Sequence, residues 1–142
     1  MYRITVTHTF SAAHALTIQG ATEPIHGHDW TVIAALEGDK LDDDGLLCDF
    51  HTVEETLAGI LDPFSNNNFN AIPPFDTRNP TAELIARYIH DELAERLGDA
   101  LAPHAHFASV AITEAPGCEA TYLPPHNRSL PAPTTHTHKP AP

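Results

Sequence analysis

The sequence predicts an α+β domain, a four-stranded antiparallel sheet with two helices on one face, in the order β-β-α-α-β-β. A stretch of alternating apolar residues and a strand-like stretch rich in Trp, Val and Ile open the chain, two stretches of helical periodicity occupy its middle, and two short strand-like stretches joined by a turn close it. At 142 residues, 42% of them hydrophobic, the chain is long enough and apolar enough for one core.

Each element has its own signal. Over residues 2–10, Ile4, Val6, His8 and Phe10 fall on one face and Arg3, Thr5, Thr7 and Thr9 on the other, which is a half-buried strand. Residues 15–25 contain Gly20 and Pro24 and read as a loop. A second strand, rich in Trp, Val and Ile, covers 28–36, and the acidic stretch 37–45 is a turn or hairpin connection. Asp49 is placed to cap a helix that carries Phe50, Val53, Leu57, Ile60 and Leu61 at helical spacing. Residues 61–79, full of Asn and Pro, form a long irregular connection of the kind that is often functional. Asn79-Pro80 starts the second helix, with Pro at the first helical position, an apolar stripe of Leu84, Ile85, Tyr88, Ile89, Leu93 and Leu97, and Gly98 at its end. Strands over 107–114 and 119–123 follow, joined by Ala115-Pro116-Gly117. Residues 1–123 are therefore expected as one domain, and 124–142, rich in Pro, Thr and His, as a disordered tail.

Composition excludes several functions. A formal charge of −12 argues against nucleic-acid binding, which needs a basic surface. No signal peptide opens the chain and no apolar run approaches a membrane span, so a soluble cytoplasmic protein is expected. Cys48 and Cys118 lie far apart and form no CxxC pair, so a disulfide framework is not indicated.

The histidines carry the strongest chemical signal. His26 and His28, two apart on an extended segment, share a face, and Gly27 between them lets a ligand approach. His14 shares the parity of Ile4, Val6 and Phe10, so pairing of the first two strands brings it to His26 and His28. Three histidines with one open position form the pattern of a catalytic zinc site. Read alone, HGH is equally a loop with exposed histidines. His104 and His106 repeat the spacing without a third partner, His136 and His138 lie in the tail, and His8 and His51 read as ordinary histidines or as supports for a ligand.

FSAAHAL (10–16), HGH (26–28), CDF (48–50), NPTAELIARYI (79–89) and ITEAPGCEATY (112–122), in that order and spacing, resemble the 6-pyruvoyl- and 6-carboxy-tetrahydropterin synthases. The resemblance spans about residues 2–123. It implies the T-fold (tunnelling fold), in which trimers join their sheets edge to edge and two trimers stack as a homohexamer; the sheet edges would then be paired. It implies Zn2+ held by His14, His26 and His28. It also implies lyase action on a pterin-like small molecule, usually 7,8-dihydroneopterin triphosphate, whose side-chain hydroxyls the zinc acidifies while a base moves protons. Glu114 matches the family's pterin-anchoring glutamate, and its parity with Val110 and Ile112 puts a carboxylate in need of donors at the end of an apolar face. Thr81 matches a residue lining the pterin pocket and also suits a helix N-terminus, while Glu83 reads as a first-turn carboxylate.

Two positions depart from that family. Thr22 stands where its catalytic cysteine does, and a threonine hydroxyl is too weak an acid to replace a thiolate. Glu23 follows, as in a subgroup that cleaves the side chain by an aldol route, and a carboxylate near zinc can act as general base. Ser65 and Asn66 align with the family's Asp-His dyad, and neither shuttles protons near neutral pH; His51 or Asp62 could substitute. Three functions follow: a Glu23-dependent lyase on dihydroneopterin-type side chains, a zinc pocket repurposed as a lyase or isomerase for a non-pterin metabolite, or an inactive pterin-binding homologue.

Overall fold

The computed structural model describes residues 1–101 and 103–125; the expected tail beyond 125 lies outside them. The elements are β1 (Tyr2–His14), β2 (Thr17–Ile18), β3 (Ala21–Thr22), β4 (His26–Gly38), α1 (Phe50–Leu61), a 3-10 turn (Phe69–Ala71), α2 (Ala82–Leu101), β5 (His106–Ala115) and β6 (Cys118–Tyr122). The main sheet runs β1-β4-β5-β6 with every neighbouring pair antiparallel, and β2 with β3 makes a separate two-stranded ribbon. That ribbon, turned by Gly20 at φ +80°, occupies the segment expected as a plain loop. Both helices pack on one face, α1 against β1 and α2 against β5 and β6. No described helix is long and apolar enough to cross a membrane.

One core lies between sheet and helices. Trp30, Val32 and Leu36 from β4, Val53, Leu57 and Ile60 from α1, and Ile85, Ile89 and Leu93 from α2 are fully enclosed. Each such side chain contributes about 1.5–3 kcal/mol by leaving water. The long connection is ordered by its own aromatics: Phe64 stacks on Phe69 at 4.7 Å between centroids, and Phe75 meets Phe69 edge-on at 5.5 Å. At Gly38 an added Cβ would stand 2.0 Å from the His104 carbonyl oxygen, so the end of β4 admits only glycine beside that turn.

Several boundaries differ from the sequence reading. Thr81 Oγ1 accepts a hydrogen bond from Leu84 N–H at 3.2 Å, so Thr81 caps α2 and Pro80 precedes the cap rather than opening the helix. Gly98 does not end α2, which continues to Leu101 and so presents further apolar surface to the core. Phe50 and Leu84, assigned to apolar stripes, are 48% and 40% exposed; His90, not assigned to one, is buried and donates from Nε2 to Phe107 O at 3.3 Å. Asp49 caps α1 as expected, accepting from His51 N–H at 2.9 Å, and Glu83 sits in the first turn of α2.

Candidate metal centre and adjoining cavity

The pairing of β1 with β4 puts His14 directly opposite His26, and His28 follows two residues on, on the same face. Ring centroids lie 4.8 Å apart for His14 and His26, 5.1 Å for His14 and His28, and 4.8 Å for His26 and His28, each pair edge-on. Trp30, next on that face, walls the cluster from the core at 4.9 Å from His14, and its indole N–H donates to Ala12 O at 3.1 Å.

Backbone carbonyls fix the ring tautomers. His14 Nδ1 lies 2.9 Å from Pro80 O and His26 Nδ1 lies 3.0 Å from Pro24 O; a carbonyl only accepts, so each Nδ1 carries the hydrogen. The Nε2 lone pair of His14 then faces Glu114. His14 Nε2 and His28 Nε2 are buried with no hydrogen-bond partner. Glu114 Oε1 is 2.8 Å from the first and 3.3 Å from the second, contacts close enough for an ion pair but not aligned as hydrogen bonds. An imidazole lone pair against a carboxylate oxygen is repulsive unless a proton or a cation lies between them. Burial holds His28 below the ordinary imidazole pKa, opposed by the Glu114 carboxylate and reinforced by the His14 and His26 rings, so the neutral, ligating form is favoured. One ligand atom each from His14, His26, His28 and Glu114 lies within 4.8 Å of every other, and this donor set fits a divalent metal ion.

Glu114 reaches the rings through a break in the sheet. Thr113 pairs with Glu119 and Ala115 with Cys118, so Glu114 is the extra residue of a bulge between β5 and β6. Bulges re-aim side chains at sites of this kind.

Two asparagines steady the segment after His14. Asn70 Oδ1 accepts from Ala15 N–H and its amide donates to Ala15 O, both at 2.8 Å. Asn79 does the same to Thr17 N–H and O, both at 2.9 Å. Each amide stands in for a neighbouring strand on a backbone that has left the sheet. On the other side, Ala13 N–H donates to Asn67 O at 2.9 Å and Asn66 N–H to Ser11 O at 2.6 Å, which covers the edge of β1 beside the cluster.

A family model described as 6-pyruvoyl tetrahydropterin synthase matches residues 3–125. The chain belongs to this family. It is 32% identical over 117 residues, 80% of each chain, to the 6-carboxy-5,6,7,8-tetrahydropterin synthase of Bacillus subtilis. It is 28% identical over 93 residues to a putative 6-carboxy-5,6,7,8-tetrahydropterin synthase of Archaeoglobus fulgidus, covering 66% of this chain and 76% of that one. The fold matches the 6-pyruvoyl tetrahydropterin synthase of Caenorhabditis elegans with a TM-score of 0.75 at 21% identity, over 87% of this chain and 96% of that one. The T-fold expected from the motifs is therefore the fold present.

The tetrahydropterin synthases act on small molecules, and a cavity of about 380 Å³ adjoins the cluster in this member. Glu114 and Thr81 both line it, with Leu16, Asn79 and Glu119. A second cavity, of about 610 Å³, is bordered by His28, Ser11, Asp29 and residues 66–68. Glu23 lies outside the ring cluster: its Oε1 accepts from Leu16 N–H at 3.0 Å and stands 3.7 Å from Nδ1 of His26, the outward nitrogen. Thr22 Oγ1 is bonded to Thr17 Oγ1 at 2.8 Å across the ribbon. His104 and His106 are not part of the metal-ligand group, and His51 lies exposed at the start of α1, 3.7 Å from Asp49. The sequence reading missed Asn70, the clamp of Asn79, the carbonyls of Pro24 and Pro80, and the approach of Glu114 to the rings. The run of asparagines at 66–70 was the available signal for the first.

Proposed function

We propose that this chain is a zinc-dependent lyase acting on the side chain of a 7,8-dihydropterin. The observation that carries the reading is the pair of buried, unpartnered Nε2 atoms, His14 and His28, beside a cavity that Glu114 and Thr81 line. Zinc, when bound by His14, His26 and His28, supplies Lewis acidity toward a side-chain hydroxyl. With the ring nitrogens so engaged, the Glu114 carboxylate accepts from the N–H and amino group of the pterin edge in two-point geometry, and Thr81 offers its hydroxyl beside it. Glu23 is the proton acceptor, with Thr22 a neighbouring hydroxyl that orders the ribbon. Support for that role comes from the Plasmodium vivax 6-pyruvoyltetrahydropterin synthase, of the same fold, in which a glutamate is a catalytic residue. The working form is a homohexamer, two stacked trimers each built by joining the edges of β1 and β6; a monomer in analytical ultracentrifugation would contradict it.

A second reading, pterin binding without turnover, has one observation in its favour. Glu23 Oε1 is already tied to Leu16 N–H, and Ser65 and Asn66 offer no titrating group. Incubation with 7,8-dihydroneopterin and its triphosphate, followed by chromatography, separates the two. The lyase reading predicts glycolaldehyde and 6-hydroxymethyl-dihydropterin, with turnover lost in Glu23→Gln and kept in Thr22→Ala. Acetaldehyde would indicate the carboxy-type reaction instead. Tight binding with no product would leave only the second reading.

A further inference from the structure

The three residues that precede α2 each reach a different part of the site. The Asn79 amide accepts from Thr17 N–H and donates to Thr17 O, both at 2.9 Å. Pro80 O accepts from His14 Nδ1 at 2.9 Å. Thr81 lines the cavity that Glu114 borders. Thr17 opens the ribbon of β2 and β3, and Glu23 follows that ribbon directly. Residues 15–17 form an extended segment whose two edges are held by different groups. Ala15 and Thr17 turn their N–H and C=O to the amides of Asn70 and Asn79. Leu16, between them, turns the other way. Its N–H donates to Glu23 Oε1 and its C=O accepts from Glu23 N–H, both at 3.0 Å. Extended backbone imposes this alternation, because successive residues present their hydrogen-bonding groups to opposite edges. The peptide units that hold the Glu23 carboxylate are therefore fixed by the clamps on either side of them.

We propose that Asn79 is a positioning residue for Glu23. By holding both backbone groups of Thr17 it sets the orientation of Leu16, and so the place of the Glu23 carboxylate, 3.7 Å from His26. The inference rests on the lyase reading, in which Glu23 accepts the proton, and adds to it a residue that acts through the ribbon rather than on the reacting atoms. The two asparagines then divide the work. The clamp of Asn70 falls on Ala15, beside the histidine cluster, and the clamp of Asn79 falls on the ribbon. A carboxamide suits this task because it offers one acceptor and a donor side by side, matching the N–H and C=O of a single residue.

Asn79→Ala and Asn79→Asp in the zinc-loaded full chain test this. The second variant keeps an acceptor for Thr17 N–H and loses the donor to Thr17 O. With 7,8-dihydroneopterin and its triphosphate as substrates, kcat should fall about ten- to a hundredfold in Asn79→Ala, the scale expected of a catalytic group displaced by about 1 Å. It should fall less in Asn79→Asp. KM should stay within about threefold and zinc content should not change, because Thr81 and Pro80 keep their own contacts. Amide hydrogen exchange gives a reading that needs no turnover. Glu23 N–H bonds to Leu16 O and not to Asn79, so its faster exchange in Asn79→Ala, with β1 and β4 protected as before, reports a displacement carried through the ribbon. A merely local contact would free Thr17 N–H alone. If the alanine variant does not fold, the aspartate variant is read by the same measures. Unchanged kcat with Glu23 N–H still protected overturns the inference and leaves the lyase reading standing. Zinc lost in step with kcat also overturns it, since Asn79 would then be a general support of the fold. Absence of turnover in the natural chain overturns the lyase reading and this inference with it.

Discussion

Glu114 is the residue that joins the two halves of the site, with one oxygen near two histidine rings and its side chain lining the cavity. Glu114→Gln keeps the shape and removes the charge. In the proposed role of pterin anchor, Glu114 would contribute charge-assisted hydrogen bonds of about 1.5–3 kcal/mol. The variant should therefore hold zinc nearly as the natural chain does and bind dihydropterin about ten to a hundred times more weakly, measured by metal analysis and calorimetry on the same sample. Loss of zinc along with the pterin would make Glu114 a metal ligand instead. The parity of Glu114 with Val110 and Ile112 is legible in the sequence. The bulge that turns it toward His14 is not, because it arises from the one-residue mismatch between β5 and β6.

At the scale of elements, the pairing of β1 with β4 creates the centre, and it was readable. Alternation from Ile4 to Phe10 extends to a buried Ala12 and His14, and the hairpin register brings His14 to His26. What holds the chain just beyond the hairpin was not readable, because the clamps of Asn70 and Asn79 span 55 and 62 residues and depend on where the connection packs. Asn70→Ala removes both hydrogen bonds to Ala15 and leaves its N–H and C=O in a partly buried place without partners. The loss should be about 1–3 kcal/mol in chemical denaturation, with weaker zinc affinity because His14 is the adjoining residue. Unchanged stability and zinc affinity would mean that water replaces the amide at no cost. The limits of α2 show a related effect. Gly98 and Pro80 are local punctuation signals, but Thr81 supplies the cap and core packing carries the helix on to Leu101.

Over the whole molecule, helices on one face leave the histidine cluster at the end of the β1–β4 hairpin, between the sheet and the first turn of α2. The Pro80 carbonyl on His14 Nδ1 ties that turn to the cluster through one hydrogen bond. The order of elements was legible because each has its own period and turn residues. The identity of the partner atoms around each ring was not, since carbonyls carry no sequence signature. The most direct test is the metal content of the purified natural chain beside His28→Ala. The account predicts about one zinc per chain in the first and little in the second, with the fold of both intact by circular dichroism. A natural chain that carries no zinc, and takes up none on addition, would contradict it.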